Sequence, residues 1–145
     1  MSPDQWRDKL LACSARETPE QQASFLRLVD MVYGSVTPDV AQVLVATFTI
    51  KADVGTQERV CSILAGAPVD TRVAAILDEL PRLMREAPIW ADTLMGSLVR
   101  HDLMALKRHL HFASVETRQA VRALLARNEF RDLNPEARSL QAYCD

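Results

Sequence analysis

The sequence predicts an all-α fold of short antiparallel helices. Three observations carry that reading. Ser2-Pro3, Thr18-Pro19, Thr37-Pro38 and Asn134-Pro135 each set a capping side chain directly before proline. The cap oxygen takes an orphan backbone N–H, and proline is tolerated at the first helical position, where no N–H is needed. Glu20, Asp39 and Glu136 follow, each a carboxylate at the positive end of a helix dipole. Apolar residues then recur at three- and four-residue steps. Finally, glycine is scarce, at four in 145 residues, while the helix formers Ala, Leu, Arg, Glu and Gln are plentiful.

These signals predict helices over 3–15, 19–33, 38–49, 56–65, 69–86, 88–100, 102–112, 115–128 and 135–142. Gly34 and Gly66 follow the second and fourth, as left-handed C-terminal positions would. The third segment, "VAQVLVATFTI", is rich in β-branched residues, and a strand is its alternative. The Thr37-Pro38-Asp39 start and the lack of a partner strand favour helix. In the fifth, Val73, Ile76, Leu77, Leu80, Leu83 and Met84 form one stripe that runs straight through Pro81. Pro81 is therefore expected to kink a continuing helix, at about 3 kcal/mol of local helix preference. Pro88 acts differently. It pushes Ala87 toward extended geometry and opens a new stripe of Trp90, Ala91, Leu94, Met95 and Leu98. Trp90 is expected to anchor that helix. Trp6, Phe25, Tyr33, Phe48, Phe112 and Phe130 fall mostly on apolar stripes, which places most of them in the core. Trp6 with Leu10 has a second reading, as the modified outer face of a terminal repeat.

"DTRVAAIL" at 70–77 and "ETRQAVRALL" at 116–125 share Thr-Arg-x-Ala, and Thr71 lies 46 residues before Thr117. HEAT-like repeats of two helices have a period of about 40–47 residues. The expected architecture is a small HEAT-like α-solenoid, one domain over residues 1–145.

Hydrophobic residues make up 48% and charged residues 25%, a globular balance. Formal net charge is −2, with no run of Lys or Arg, so direct nucleic-acid binding is not expected. The charge is uneven. Residues 1–99 hold nine Lys/Arg against 13 Asp/Glu, a net −4; residues 100–145 hold eight against six, a net +2. The N-terminus lacks a basic region followed by an apolar core, and no segment approaches ~18 continuous apolar residues. Neither export nor membrane insertion is expected, and the chain is placed in the cytoplasm.

No residue set spells out a reaction. Cys13, Cys61 and Cys144 form no CxxC pair, and the first two sit in apolar helical patterns, as small core residues do. His109 and His111 lie two apart and point to different helix faces; His101 is about two turns from His109. No glycine-rich phosphate loop and no Gly-x-Ser-x-Gly turn is present. Asp78 and Glu79 are adjacent and diverge around a helix. Neither catalysis, nor a metal, nor a cofactor is expected.

"FTIKADVGTQERVCSILAG" followed by "ILDELPRLMREAPIWADTLMGSL" resembles the helical immunity proteins of bacterial polymorphic-toxin and contact-dependent growth inhibition systems, over about residues 48–99. The shared order is Phe48, a polar loop with Asp53, a helix opening at Thr56-Gln57-Glu58, Leu80-Pro81-x-Leu83, then Ala87-Pro88-x-Trp90-Ala91 and an apolar run from Leu94 to Leu98. The loop here carries a single acid where the family tends to have several. The resemblance implies a non-enzyme: a cytoplasmic inhibitor that binds and neutralises a cognate toxin domain, often a nuclease. Asp53, Glu58, Asp70, Asp78 and Asp92 are the candidate contacts, since a nuclease surface is basic. The alternative function is a HEAT-like protein–protein interaction scaffold unrelated to toxins.

Overall fold

The computed structural model describes residues 1–51, 53 and 55–145. Among them there is no strand. Nine α-helices follow in order: α1 (Pro3–Cys13), α2 (Pro19–Asp30), α3 (Pro38–Ala46), α4 (Thr56–Ala65), α5 (Val69–Glu86), α6 (Pro88–His101), α7 (Leu103–His111), α8 (Val115–Leu125) and α9 (Asn128–Leu133). A 3₁₀ helix, Pro135–Tyr143, closes the chain described. The ambiguous third segment is helix. Its Thr37 hydroxyl accepts from the Val40 N–H at 3.3 Å, and Ala41, Leu44 and Val45 turn inward.

The expected caps form at three of the four starts. Ser2 and Gln5 make a reciprocal capping box, and Thr18 accepts from the Gln21 N–H at 3.1 Å. Asn134 does not cap. It is buried, and its amide donates back to the Phe130 carbonyl at 3.0 Å while its oxygen accepts from Arg100 at 2.8 Å. The segment it opens winds as 3₁₀ instead of the expected α-helix. The helix expected over 115–128 also divides. The chain leaves helical geometry at Arg127 (φ −87°, ψ 119°) and re-enters at Asn128. Gly34 has the left-handed φ expected of it, at 78°; Gly66 does not, at −85°. The left-handed glycine beside α4 is at its other end, Gly55 (φ 98°).

The chain groups into two compact units, Met1–Arg72 and Val73–Asp145. In the first, α1 packs on α2 and α3, and both α2 and α3 pack on α4. Leu10, Phe25, Leu44, Phe48 and Ile63 are fully buried there. Trp6 belongs to this core and covers no outer face: it is 5% exposed, and its indole N–H donates to the Leu28 carbonyl at 2.8 Å. Tyr33 is the reverse case, 67% exposed, because α2 ends at Asp30 and the turn that follows carries the ring off the stripe.

In the second unit α6 packs on α7 and α9, and the 3₁₀ helix packs on α6, α7, α8 and α9. Leu80, Leu83, Met95, Leu98, Leu106, Leu110 and Leu124 fill its interior. Trp90 is only half-buried; Ala87 and Ala91 occupy the core positions at the start of α6. Phe112 lies past the last turn of α7 and is 83% exposed, against the core placement expected of it.

Helix α5 does run unbroken through Pro81. Proline at 81 cannot donate to the carbonyl four residues back, that of Leu77. The Thr117 hydroxyl does so instead, at 3.0 Å, in a buried setting. Ser114 in turn donates to the Thr117 oxygen at 3.1 Å. A side chain from α8 thus replaces the missing backbone donor of α5.

Candidate functional site

In the first unit a polar cluster gathers around Arg16, a residue the sequence did not single out. Arg16 is 7% exposed and has a left-handed backbone, φ 52°, rare for a residue with a Cβ. Its guanidinium lies 4.4 Å from the centre of the Phe25 ring, donates to the Thr47 carbonyl at 2.8 Å, and donates to the Thr56 hydroxyl at 3.3 Å. Planarity lets it stack on a ring and serve two acceptors at once. Thr56 passes the bond on, donating to Asp53 at 2.8 Å. The other Asp53 oxygen accepts from the Gly55 and Thr56 N–H groups at 2.8 and 3.1 Å. Asp53 therefore caps α4 from outside it. Gln57, also buried, accepts from the Thr49 N–H at 2.7 Å and donates to the Lys51 carbonyl at 3.2 Å.

Thr47, Thr49, Lys51 and Gly55, between α3 and α4, each bond to a side chain of the cluster. Burial raises the Asp53 pKa, but the Thr56 hydroxyl, the Gly55 N–H and Arg16 outweigh it and hold the carboxyl below its ordinary value. A cleft of about 310 Å³ opens beside the cluster, with Ser14, Arg16, Glu17, Thr49, Lys51 and Asp53 among its walls. At its rim Lys51 meets Glu17 at 3.6 Å, both mostly exposed.

The five acids proposed as contacts are distributed over both compact units. Asp53 is half-buried and engaged as described. Glu58 and Asp70 are exposed in the first turns of α4 and α5, in the same unit. Asp78, exposed on α5, and Asp92, half-buried on α6, belong to the second unit. Asp92 accepts two bonds from the Arg127 guanidinium, at 2.7 and 2.8 Å. Arg127, which makes that forked pair, sits in extended geometry at the break between α8 and α9. Glu79, next to Asp78, turns to Arg82 at 2.6 Å.

Burial raises the thiol pKa of Cys13 and Cys144, and burial with nearby Glu58 raises that of Cys61 to about 11. Cys61 is half-buried, short of the core position expected for it. Such thiols stay protonated near neutrality and are poor nucleophiles. Among the described residues no three His, Cys, Asp or Glu side chains are placed to hold a metal ion, and no helix is long and apolar enough to cross a membrane. Comparison with known proteins matches no family model, no curated protein and no solved structure.

Proposed function

We propose that this protein works by binding another protein, and that it is a cytoplasmic immunity protein that neutralises a cognate toxin domain. The observation that carries the proposal is the placement of Glu58, Asp70 and Asp78. All three are exposed on helices, where a scaffold presents charge with little loss of conformational freedom. The resemblance over residues 48–99 supports the toxin as partner, and a nuclease toxin offers a basic surface to such acids. The packing of consecutive helices within each unit, α1 on α2 and α6 on α7, is compatible with HEAT-like stacking.

Co-expression with the toxin domain encoded beside the gene tests the proposal. Survival of cells that carry both is expected, and death despite folded full-length protein refutes it.

A second reading, the interaction scaffold, draws on α7. Met104 is 74% exposed, and it shares a helix face with Arg108, His111 and the adjoining Phe112. An apolar and basic stripe suits an acidic partner, not a basic toxin. Met104→Glu with Phe112→Glu abolishes partner binding under this reading and spares it under the first.

A further inference from the structure

Ile50 lies between α3 and α4 and is 72% exposed. A single exposed apolar side chain is ordinary on a protein surface. The hold on the backbone to either side of this one is not. Gln57, 2% exposed in the first turn of α4, accepts from the Thr49 N–H at 2.7 Å and donates to the Lys51 carbonyl at 3.2 Å. One buried amide thus grips the residue before Ile50 and the residue after it. The two bonds offset the cost of burying that amide. What they fix in return is the path of the chain through Ile50.

The grip is itself anchored. Gln57 follows Thr56, whose N–H donates to Asp53 and whose hydroxyl accepts from buried Arg16. Ile50 therefore stands on backbone tied to the interior of the first unit. Isoleucine adds its own stiffness, because branching at Cβ restricts χ1. A side chain presented this way loses little freedom when a partner closes on it. Thr49 and Lys51 border the cleft beside Arg16, whereas Ile50 between them does not. Lys51 is paired with Glu17 at 3.6 Å. Glu58 follows Gln57 in the same turn and is exposed. The complement of such a surface is an apolar pocket with a cation at its edge.

We infer that Ile50 is the apolar anchor that seats this protein in a pocket of its protein partner, with Gln57 as the positioning residue. The inference rests on the toxin-binding reading above and deepens it. The partner's surface is an apolar pocket that takes a branched aliphatic side chain, bordered by a Lys or Arg that meets Glu58.

The test is the affinity of the full chain for the toxin domain encoded beside the gene, measured by titration calorimetry. Ile50→Asp should weaken the complex by about 30-fold or more, the loss that marks a hot spot. Ile89→Asp is the matched control, the same change at an isoleucine 72% exposed on α6, and should stay within about twofold. Gln57→Met removes both bonds of the grip and should weaken binding by about three- to tenfold. In an Ile50→Ala background the same Gln57→Met change should have no further effect, whereas a merely structural role would give equal losses in both. If Gln57→Met does not fold, the two isoleucine variants decide alone. A tight complex indifferent to Ile50→Asp, or equal losses from Ile50→Asp and Ile89→Asp, would overturn the anchor and leave the immunity reading standing. A Gln57→Met loss that persists without Ile50 would overturn the positioning role. A wild-type chain that does not bind the toxin domain overturns the anchor and the immunity reading together.

Discussion

At Asp53 burial and hydrogen bonding pull the carboxyl in opposite directions, and hydrogen bonding wins. A group whose folded pKa lies below its unfolded one stabilises the fold fully above the unfolded value, about 4 for Asp. That contribution is lost as pH falls through the folded value. Asp53→Ala removes the outside cap of α4 and should cost about 0.5–2 kcal/mol at neutral pH. Its acid-unfolding curve should also fall less steeply below about pH 4 than that of the wild type. A parallel curve would show that Asp53 is not the titrating link. Arg16→Lys tests the other end of the cluster. An ammonium keeps the charge, but it cannot stack on Phe25 and reach Thr47 and Thr56 together. A loss of about 1–3 kcal/mol is expected in urea denaturation. In the sequence Asp53 stands out as a partner contact, not as a cap, and Arg16 is passed over. Asp53-x-Gly-Thr just before a helix is a local cap signal, whereas an arginine that bonds across 31 and 40 residues leaves no local mark.

Among the elements, α5 shows how a rule about proline gives way to a tertiary contact. The stripe of leucines made the continuation through Pro81 readable, but nothing nearby in sequence announces the donor that makes it affordable. Thr117 lies 40 residues away from Leu77. Thr117→Val keeps the shape and removes the hydroxyl, and should cost about 1–3 kcal/mol by leaving the Leu77 carbonyl unsatisfied. Pro81→Ala returns a backbone N–H to that carbonyl. The cost of Thr117→Val should therefore shrink by about 1 kcal/mol in the Pro81→Ala background. Additive effects in this double-mutant cycle would disprove the substitution of one donor for the other. The other legible elements are those with local signals, the Ser2, Thr18 and Thr37 caps above all. The break at Arg127 escaped because the helical pattern continues across it, and the partner of Arg127, Asp92, lies 35 residues away. Trp90 escaped because pattern ranks size above placement: small Ala87 and Ala91 hold the inner positions. Phe48→Ala, from a fully buried ring, should cost about 3–5 kcal/mol, and Trp90→Ala less. Equal costs in denaturant midpoints would contradict that order.

For the molecule as a whole, charge is the property that bears most directly on a partner. Regrouped by compact unit, the acidic excess shrinks and moves. Residues 1–72 hold seven Lys/Arg and nine Asp/Glu, a net −2, while residues 73–145 hold ten of each. Long-range steering toward a basic partner should therefore come from the first unit, with a field weaker than the sequence halves suggested. For the proposed toxin partner, the measurable consequence is the association rate. Screening shortens the Debye length from about 10 Å at 0.1 M salt to about 3 Å at 1 M, so the rate should fall with added salt while dissociation changes less. Glu58→Lys with Asp70→Lys should slow association more than the double reversal Asp78→Lys with Glu116→Lys, which adds equal charge in the second unit. Both pairs change the net charge by the same amount, so a difference between them reports where the field originates. Equal slowing would mean that net charge alone steers the encounter. A rate insensitive to salt would remove electrostatics from recognition and leave apolar contact as its source.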